Sequence, residues 1–430
     1  MSGSKNTNLL PAARMTRRGA LRTLAGALAA SVAAPIAAMA QSDDPINQVL
    51  QSSSGDWSDG FDAASSGAAS VRTSAPILSP DTAQAVEYAI QNYTDIVARG
   101  GWPMVPADKK LSLGLKDPNV VILRQRLTVT GDLAAGAGNS QTFDSYVDAG
   151  LRRFQARHGL PADGVAGQST INMMNVPADV RLGQLQTNLV RLRSMSGFLG
   201  ERYVMINIPA AAIEVVENGR VISRHTAVVG KVDRPTPVLA TKIYRVSFNP
   251  FWTVPASIIR KDLIPLMQKS PDYLTKKHIR IYDQSGMEVP PTAIDWNTDQ
   301  ATKGYRFRQD PGDFNSLGTV RISFHNDEQV YMHDTPQKDI FGREQRFDSS
   351  GCIRVQNIRQ LIGWLLRDTP EFPRERIDQI FKSGEQVDIN PKPEIPLYLQ
   401  YISAWAMADG VTHFRDDIYN RDGIGQLALQ

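Results

Sequence analysis

The 430-residue chain is long for one domain, and its 42 % hydrophobic and 21 % charged residues allow a large buried core. The formal net charge of +3 arises at the N-terminus, where five basic and no acidic residues precede residue 41. The remainder has 42 basic and 44 acidic residues, a net charge of −2. The composition therefore gives no support to nucleic-acid binding.

The first 40 residues are predicted to be an export signal peptide. A basic start is followed by an Ala/Leu-rich stretch over 19–34 and by Ala38-Met39-Ala40, a small-x-small cleavage site. The segment 16–21 (Thr-Arg-Arg-Gly-Ala-Leu) resembles a twin-arginine export motif, with the general secretory route as the alternative. The apolar run is short and Ala-rich, which favours cleavage over a retained anchor. We expect a protein of the periplasm or cell envelope with no stable membrane span after cleavage.

Residues 41–78 are predicted to be a flexible linker, because Ser, Ala, Gly and Asp dominate and apolar residues are few. A scaffold helix is predicted within 79–116. Ser79-Pro80 suits its cap and first turn, and apolar residues follow at helical spacing: Val86, Ile90, Tyr93 and Ile96.

A small helical unit is predicted over 117–176, followed by a linking helix over 177–200. Two amphipathic patterns mark its helices, and the second ends in residues 154–167, Phe-Gln-Ala-Arg-His-Gly-Leu-Pro-Ala-Asp-Gly-Val-Ala-Gly. This string resembles the three-helix peptidoglycan-binding module of many cell-wall enzymes. In that reading His158 is a structural or wall-contacting residue, because no second metal ligand lies at suitable spacing.

Residues 201–425 are predicted to form a mainly β domain with a few helices. Over 203–208 the pattern has a period of two, with Val204, Ile206 and Ile208 at every second position. Asn218-Gly219 lies between two strand-like runs, a strong hairpin signal. A second turn is predicted at Asp409-Gly410, and a helix is predicted to begin near Asn357.

The chain has one cysteine, Cys352, nineteen residues after His333. A lone thiol forms no internal disulfide, and a protein sent to an oxidising compartment with one unpaired cysteine usually has a use for it. A free cysteine has a pKa of about 8.5, so a nearby imidazole that takes the proton would activate it. The pair predicts acyl transfer by the thiol, although single buried cysteines are often inert.

Residues beside the cysteine could serve the same chemistry. Gly351 allows a tight turn, and the backbone N–H groups of Gly351 and Cys352 could bind a developing oxyanion. Arg354 shares a strand face with Cys352 if the segment is extended, and it could bind a substrate carboxylate or form a structural ion pair.

Five other histidines are alternatives for the base, and His325, eight residues before His333, is the main one. Zinc chemistry is not expected, because no histidine–glutamate cluster occurs and Cys352 has no cysteine partner. No metal or cofactor is predicted. The other four histidines are His158, His225, His278 and His413.

The segments 333–336 (His-Asp-Thr-Pro) and 349–354 (Ser-Ser-Gly-Cys-Ile-Arg) resemble the signature of the L,D-transpeptidases, which have the YkuD-type catalytic fold. Further segments resemble the large subgroup with an inserted lid, so the resemblance covers about residues 80 to 425. It implies an α+β multidomain protein: a mainly β catalytic domain with a lid at about 256–307, preceded by the three-helix module and scaffold helices. These further segments are 249–255, 308–312, 315–318 and 414–419.

The resemblance also implies a reaction. Cys352 would attack the carbonyl of the third residue of a tetrapeptide stem, normally meso-diaminopimelate, and expel D-Ala. An amine of a second stem would then attack the thioester, giving a 3→3 cross-link. His333 would act as base and then acid, with its ring oriented by the backbone carbonyl of Asp334. Carbapenems, which acylate the thiol in this family, are expected inhibitors.

Three positions depart from the family pattern. Asp334 stands where many members have glycine, Ser350 where many have histidine, and His325 where proline is expected. The predicted lid would exclude water from the thioester, although its apolar residues could simply form a core of their own. Trp252, Tyr331 and Ser350 are predicted to line the substrate cleft.

Three functions remain open from the sequence. The first is an exported L,D-transpeptidase. The second is a hydrolase, an L,D-carboxypeptidase or endopeptidase in which water replaces the amine. The third is a non-catalytic wall-binding protein, against which the Cys352 and His333 pair argues.

Overall fold

The computed structural model describes residues 73–195, 197 and 199–423. The predicted export signal (1–40) and most of the predicted linker (41–78) lie outside the described residues. Among the residues described, no helix is both long and apolar enough to span a membrane.

The N-terminal part begins with a long helix, α1 (Pro80–Ala98), close to the predicted start. The Ser79 side chain accepts a hydrogen bond from the Thr82 N–H at 3.1 Å, and Pro80 occupies the first turn, where its missing N–H costs nothing. The apolar face of α1 packs against α5 (Ala178–Met195) in a shared core.

Between α1 and α5 lies a small three-helix unit with its own core. Its helices are α2 (Asn119–Val129), α3 (Ser145–Arg157) and α4 (Gln168–Met174), with a 3₁₀ turn at Ala135–Ala137. Asp144 caps α3 by accepting from the N–H groups of Tyr146 and Val147, both at 3.1 Å. The core includes apolar residues of the first two helices at helical spacing, among them Leu123, Leu127, Val147, Leu151 and Phe154, together with residues of the third helix and the loops.

His158 does not face outward from this unit. Only 3 % of it is exposed, and its ring stacks on Phe154 at 3.8 Å and on Phe414 of the C-terminal segment at 5.7 Å. Of the two roles considered for His158, packing agrees with the structure and wall contact does not.

The rest of the chain is built on a barrel. Neighbouring strands follow the order β3-β12-β10-β9-β4-β14-β1-β2, and β2 pairs again with β3, which closes the sheet. Apolar residues pointing inward fill the barrel, and α10 (Ile358–Leu365) and α11 (Arg374–Ser383) pack against the same core. The barrel strands are β1 (Arg202–Asn207), β2 (Ala212–Glu217), β3 (Arg220–Gly230), β4 (Leu239–Phe248), β9 (Val320–Phe324), β10 (Met332–His333), β12 (Ile353–Val355) and β14 (Ile395–Gln400).

Two shorter strands extend the barrel sheet. β11 (Phe347–Ser349) pairs with the end of β3, and β13 (Val387–Ile389) pairs with β4. A 3₁₀ turn, Asp339–Gly342, precedes β11. A hairpin of β15 (Ala404–Ala406) and β16 (Thr412–Phe414) encloses the predicted Asp409-Gly410 turn and packs on α1 and α5.

The insertion between β4 and β9 has its own hydrophobic core and a four-stranded sheet, β5-β8-β6-β7. This packed unit runs from Trp252 to Gln309, slightly wider on both sides than the predicted lid, and we keep the name lid for it. Its strands are β5 (Trp252–Thr253), β6 (Ile279–Tyr282), β7 (Glu288–Val289) and β8 (Arg306–Gln309). Its helical parts are α6 (Ala256–Ile258), a π turn (Ile259–Leu263), α7 (Ile264–Lys269), α8 (Tyr273–Lys276), a 3₁₀ turn (Pro291–Ala293) and α9 (Gln300–Lys303).

Candidate active site

Two neighbouring barrel strands bring the predicted nucleophile and base together. β10 and β12 pair in parallel, with Met332 opposite Ile353, and both side chains are fully buried in the barrel core. Because side chains alternate along a strand, Tyr331, His333 and Cys352 lie on the other face. By this register Tyr331 lies opposite Cys352, and His333, which pairs with Arg354, lies one step further along the same face.

The His333 ring contacts the backbone carbonyl of the next residue. His333 Nδ1 lies 2.5 Å from the carbonyl oxygen of Asp334, the contact expected from the family resemblance. A ring that donates from Nδ1 leaves Nε2 as the proton acceptor. The orienting role of Asp334 stays a prediction.

The Asp334 carboxylate is fully engaged elsewhere. It accepts from the Thr319 N–H at 3.0 Å and hydroxyl at 2.9 Å, and from Lys338 Nζ at 2.7 Å. The lysine charge and these donors hold the pKa of Asp334 low despite its burial. Aspartate in place of the usual glycine therefore braces the loop after His333 and leaves its carbonyl to contact the ring.

The pKa values of the thiol and the imidazole favour the neutral form of each group at pH 7. Burial raises the pKa of the Cys352 thiol to about 11, although hydrogen bonds from Tyr331 and the charges of Arg354 and Arg321 favour the thiolate. Burial, followed by the charge of Arg354, lowers the pKa of His333 to about 3. These pKa values favour a neutral thiol and a neutral imidazole over a preformed ion pair. The role of His333 as base stays a prediction.

This protonation state predicts how alkylation of the thiol depends on pH. The thiolate fraction grows tenfold per pH unit below a pKa of about 11, so labelling of Cys352 by iodoacetamide should speed up about 100-fold from pH 7 to pH 9. The rate should keep rising to pH 10, whereas a cysteine in a short unstructured peptide should level off above its usual pKa of about 8.5. A plateau between pH 6 and 8, typical of a thiolate–imidazolium pair, would contradict the prediction.

Only one of the two predicted oxyanion donors is free. The Gly351 N–H donates to Ser349 Oγ at 3.2 Å, and that hydroxyl donates to the Cys352 carbonyl at 2.5 Å. Within the described part of the chain, the Cys352 N–H has no acceptor. The turn uses the Gly351 N–H to hold its own shape, which leaves the Cys352 N–H as the candidate oxyanion donor. That both N–H groups bind the oxyanion stays a prediction.

Arg354 lies beside this site without an ion-pair partner among the described residues. It is 5 % exposed, faces the same side as Cys352, and its Nε and Nη1 atoms are buried without hydrogen bonds within the residues described. Burial lowers its pKa, opposed by the nearby charge of Asp348. A buried guanidinium with unused donors is suited to a carboxylate from outside, so this observation favours the substrate role over the structural ion pair.

The predicted cleft residues connect to the lid. Trp252 on β5 donates from Nε1 to the Tyr331 hydroxyl at 3.1 Å, and Tyr331 in turn hydrogen-bonds the Cys352 sulfur. The Ser350 hydroxyl is taken up by Arg234 Nη1 at 2.9 Å rather than left open to the cleft. Contact of these side chains with substrate stays a prediction.

Sequence reasoning missed Arg234, which clamps the lid. Its guanidinium pairs with both carboxylate oxygens of Asp262 in the lid, at 2.6 and 2.9 Å. The same Nη1 atom reaches Ser350, two residues before the nucleophile. We call Arg234 and Asp262 the lid clamp. It joins sites 28 residues apart in sequence, and no local pattern marks it.

Arg321 was also missed. It lies on β9 opposite His333, and its guanidinium is 5.7 Å from the centre of the Tyr331 ring. Because side chains alternate along β9, Arg321 lies on one of its two faces. Only the pairing of β9 with β10 shows that this face is the one that carries His333.

The other histidines contact residues outside the candidate site. His325 has 61 % of its side chain exposed, stacks on Tyr244 at 4.6 Å and lies 3.3 Å from Glu394, which disfavours it as the base. Nothing in the structure explains why it replaces proline. The remaining histidines each pack against other partners: His158 on Phe154, His225 on Ser223 and the Gln356 carbonyl, His278 on Phe314 and His413 on Trp405.

Comparisons with known proteins identify two domains. Residues 201–378 match the family model of the L,D-transpeptidase catalytic domain, YkuD. Residues 116–174 match the model described as "Putative peptidoglycan binding domain". Both matches lie where the motifs were recognised.

The chain is also similar to individual proteins. A Haemophilus influenzae protein named "Putative L,D-transpeptidase" is 32 % identical over 239 residues, covering 56 % of this chain and 48 % of the relative. The chain thus spans about half the length of the curated relative that it matches.

Among solved structures, an L,D-transpeptidase of Stackebrandtia nassauensis is 15 % identical, with 69 % of this chain and 97 % of that chain covered and a TM-score of 0.24. One from Mycobacterium smegmatis is 14 % identical, with 46 % and 58 % covered and a TM-score of 0.22. TM-scores this low support no conclusion about this chain.

Proposed function

Since this chain carries an L,D-transpeptidase catalytic domain behind a peptidoglycan-binding domain, we propose that it forms 3→3 peptidoglycan cross-links through a thioester on Cys352. The two domains indicate work in the cell envelope. The observation that supports the proposal most is the one face shared by Cys352, His333 and Arg354, with the His333 ring held by the Asp334 carbonyl.

The first half-reaction makes the thioester. His333 Nε2 takes the thiol proton as Sγ attacks the carbonyl carbon of the third donor residue. The resulting oxyanion accepts a hydrogen bond from the Cys352 N–H. When the intermediate collapses, the bond to D-Ala breaks, and His333 returns the proton to the leaving amine.

The second half-reaction uses the same groups in reverse. An amine of an acceptor stem attacks the thioester carbonyl, and His333 takes a proton from that amine. The carbon–sulfur bond breaks, the proton returns to Sγ, and an amide joins the two stems. If water attacks instead, the product is a tripeptide, and the enzyme is a carboxypeptidase.

The donor stem is recognised through its charge. A tetrapeptide ending in D-Ala carries carboxylates on either side of the scissile bond. Arg354 has unused buried donors next to Cys352, which makes it the candidate partner for one of them. Neutralising this guanidinium on binding would remove the energetic cost of an unpaired buried cation.

The lid favours amine over water as the acceptor. The lid clamp and the Trp252–Tyr331 hydrogen bond hold the lid next to the turn that carries Cys352, since Arg234 also bonds Ser350 in that turn. A thioester beneath a closed lid is shielded from bulk water, which supports transfer over hydrolysis.

Breaking the lid clamp should raise hydrolysis relative to transfer. For Asp262→Ala we expect the ratio of tripeptide to cross-linked product to increase roughly threefold to tenfold, because the clamp is mostly buried and its loss loosens the lid. The products are measured by mass spectrometry. Asp272→Ala is the matched control, since that lid carboxylate pairs with Lys276 on the exposed surface. Equal ratios in Asp262→Ala and wild type would contradict the role given to the clamp.

Product analysis tests the proposed function itself. Mature protein is incubated with purified disaccharide-tetrapeptide, and the products are identified by mass spectrometry. A cross-linked dimer lacking one alanine is the expected result. Tripeptide alone would replace the proposal by a carboxypeptidase, and unchanged substrate would favour a wall-binding protein.

We also propose that the protein is exported to the periplasm and inhibited by carbapenems. The N-terminal signal motif supports delivery to the periplasm, where the stem peptides are. Carbapenems are proposed inhibitors, because a β-lactam carbonyl presents the same electrophile to Cys352 as the donor stem.

A further inference from the structure

A buried threonine holds the peptide bond in front of the nucleophile. Thr236 lies in the loop between β3 and β4 and is fully buried. Its hydroxyl donates to the Gly351 carbonyl at 2.8 Å and accepts from the Gly230 N–H at 2.9 Å. Thr236 therefore ties the end of β3 to the turn that carries Cys352.

This bond fixes the direction of the free oxyanion donor. The Gly351–Cys352 peptide is trans, and in a planar trans peptide the C=O and the following N–H point in opposite directions. With the Gly351 carbonyl held by Thr236, the Cys352 N–H points away from Thr236. Gly351 has φ of 111°, which a residue with a side chain rarely adopts, so the turn is built for this orientation.

A tyrosine from the C-terminal segment holds the threonine in turn. The Tyr419 hydroxyl donates to the Gly230 carbonyl at 2.5 Å and accepts from the Thr236 N–H at 3.3 Å. The Tyr419 N–H itself donates to the Tyr401 hydroxyl at 2.9 Å. The hydrogen bonds thus run unbroken from Tyr419 through Thr236 to the Gly351 carbonyl.

We propose that Thr236, supported by Tyr419, is a positioning residue that aims the Cys352 N–H at the oxyanion formed during acylation. This inference rests on the proposed acyl-transfer function. Neither side chain touches the reacting atoms, and both act through the Gly351–Cys352 peptide. Loss of the Thr236 hydroxyl lets this peptide turn, so the oxyanion loses a well-aimed donor while the thiol keeps its place.

Two reactions of the same thiol separate this role from a general structural one. Acylation by a carbapenem passes through an oxyanion, whereas alkylation by iodoacetamide displaces iodide and forms none. In Thr236→Val the acylation rate should fall roughly 10- to 100-fold, below the roughly 10²- to 10³-fold loss seen when a donor is removed outright. The alkylation rate should stay within about twofold of wild type, because the thiol and its neighbours are unchanged.

Two further variants test the hydroxyl groups of Thr236 and Tyr419 separately. Thr236→Ser keeps the hydroxyl and should restore acylation to near the wild-type rate. Tyr419→Phe removes the supporting hydroxyl and should slow acylation less than Thr236→Val does, again without slowing alkylation. Melting temperatures of all variants report whether the fold is kept.

The outcomes separate this inference from the proposed function. Equal slowing of acylation and alkylation in both Thr236→Val and Tyr419→Phe, or no slowing of acylation in either, would overturn the positioning role alone. Wild-type protein that is alkylated but acylated by neither a carbapenem nor a tetrapeptide donor would overturn the proposed function, and the inference with it.

Discussion

Replacing Cys352 by alanine is expected to abolish cross-link formation while leaving the fold intact. The chain has no other thiol, and neither water nor a neighbouring side chain can form the thioester in its place. Cys352 as a residue is half-buried, so loss of its sulfur should cost about 1 kcal/mol or less and lower the melting temperature by no more than about 4 °C. Product formation from disaccharide-tetrapeptide and thermal unfolding are measured on the same preparation.

Ser349→Ala provides a control within the same turn. Its hydroxyl holds the Gly351 N–H and the Cys352 carbonyl but takes no part in bond making. We expect this variant to retain measurable cross-linking where Cys352→Ala retains none. Full activity in Cys352→Ala would overturn the assignment of the nucleophile.

Replacing His333 by alanine should lower turnover by roughly two to four orders of magnitude, the usual effect of losing a general base. Since burial raises the pKa of the thiol to about 11, Cys352 depends on a neighbour to take its proton at neutral pH. His333 Nδ1 lies 2.5 Å from the Asp334 carbonyl oxygen, and a ring that donates there has Nε2 as its proton acceptor. Steady-state rates of cross-linking measure the effect.

His325→Ala is the matched control for the base. His325 was the main alternative in the sequence, and the structure has it on the surface next to Glu394. Its removal should leave turnover within about twofold of wild type, as expected for an exposed side chain away from the site. A large loss in His325→Ala together with a small one in His333→Ala would reverse the assignment.

The sequence predicted the parts of the site that lie close together along the chain. Alternation in an extended segment put Arg354 on the face of Cys352, and the pairing of β10 with β12 agrees with it. The signature motifs supplied the link between Cys352 and His333. Spacing alone left six histidines open, because strand pairing, which selects among them, is not written in local periodicity.

The sequence could not predict the supports of the site that come from distant segments. Thr236 contacts Gly351 across 115 residues, and Tyr419 contacts Thr236 across 183. A threonine in a loop has no local signature that identifies its partner. The lid sheet was missed for a related reason, because strands of two to four residues are too short to show alternation.

In the helical module, the sequence predicted the helices but not how the module packs against the rest of the chain. Its motif identified the domain, and its apolar spacing predicted the core. The motif gave no sign that His158 would pack against Phe414, more than 250 residues later, because that contact depends on how the module docks on the C-terminal segment.

Intact-protein mass spectrometry of mature protein mixed with a tetrapeptide donor tests the central claim most directly. Acyl transfer by Cys352 predicts an adduct equal in mass to the donor minus D-Ala, located on the peptide containing Cys352 and discharged by an added acceptor amine. No such adduct in wild-type protein that releases D-Ala, or the same adduct in Cys352→Ala, would contradict a thioester mechanism.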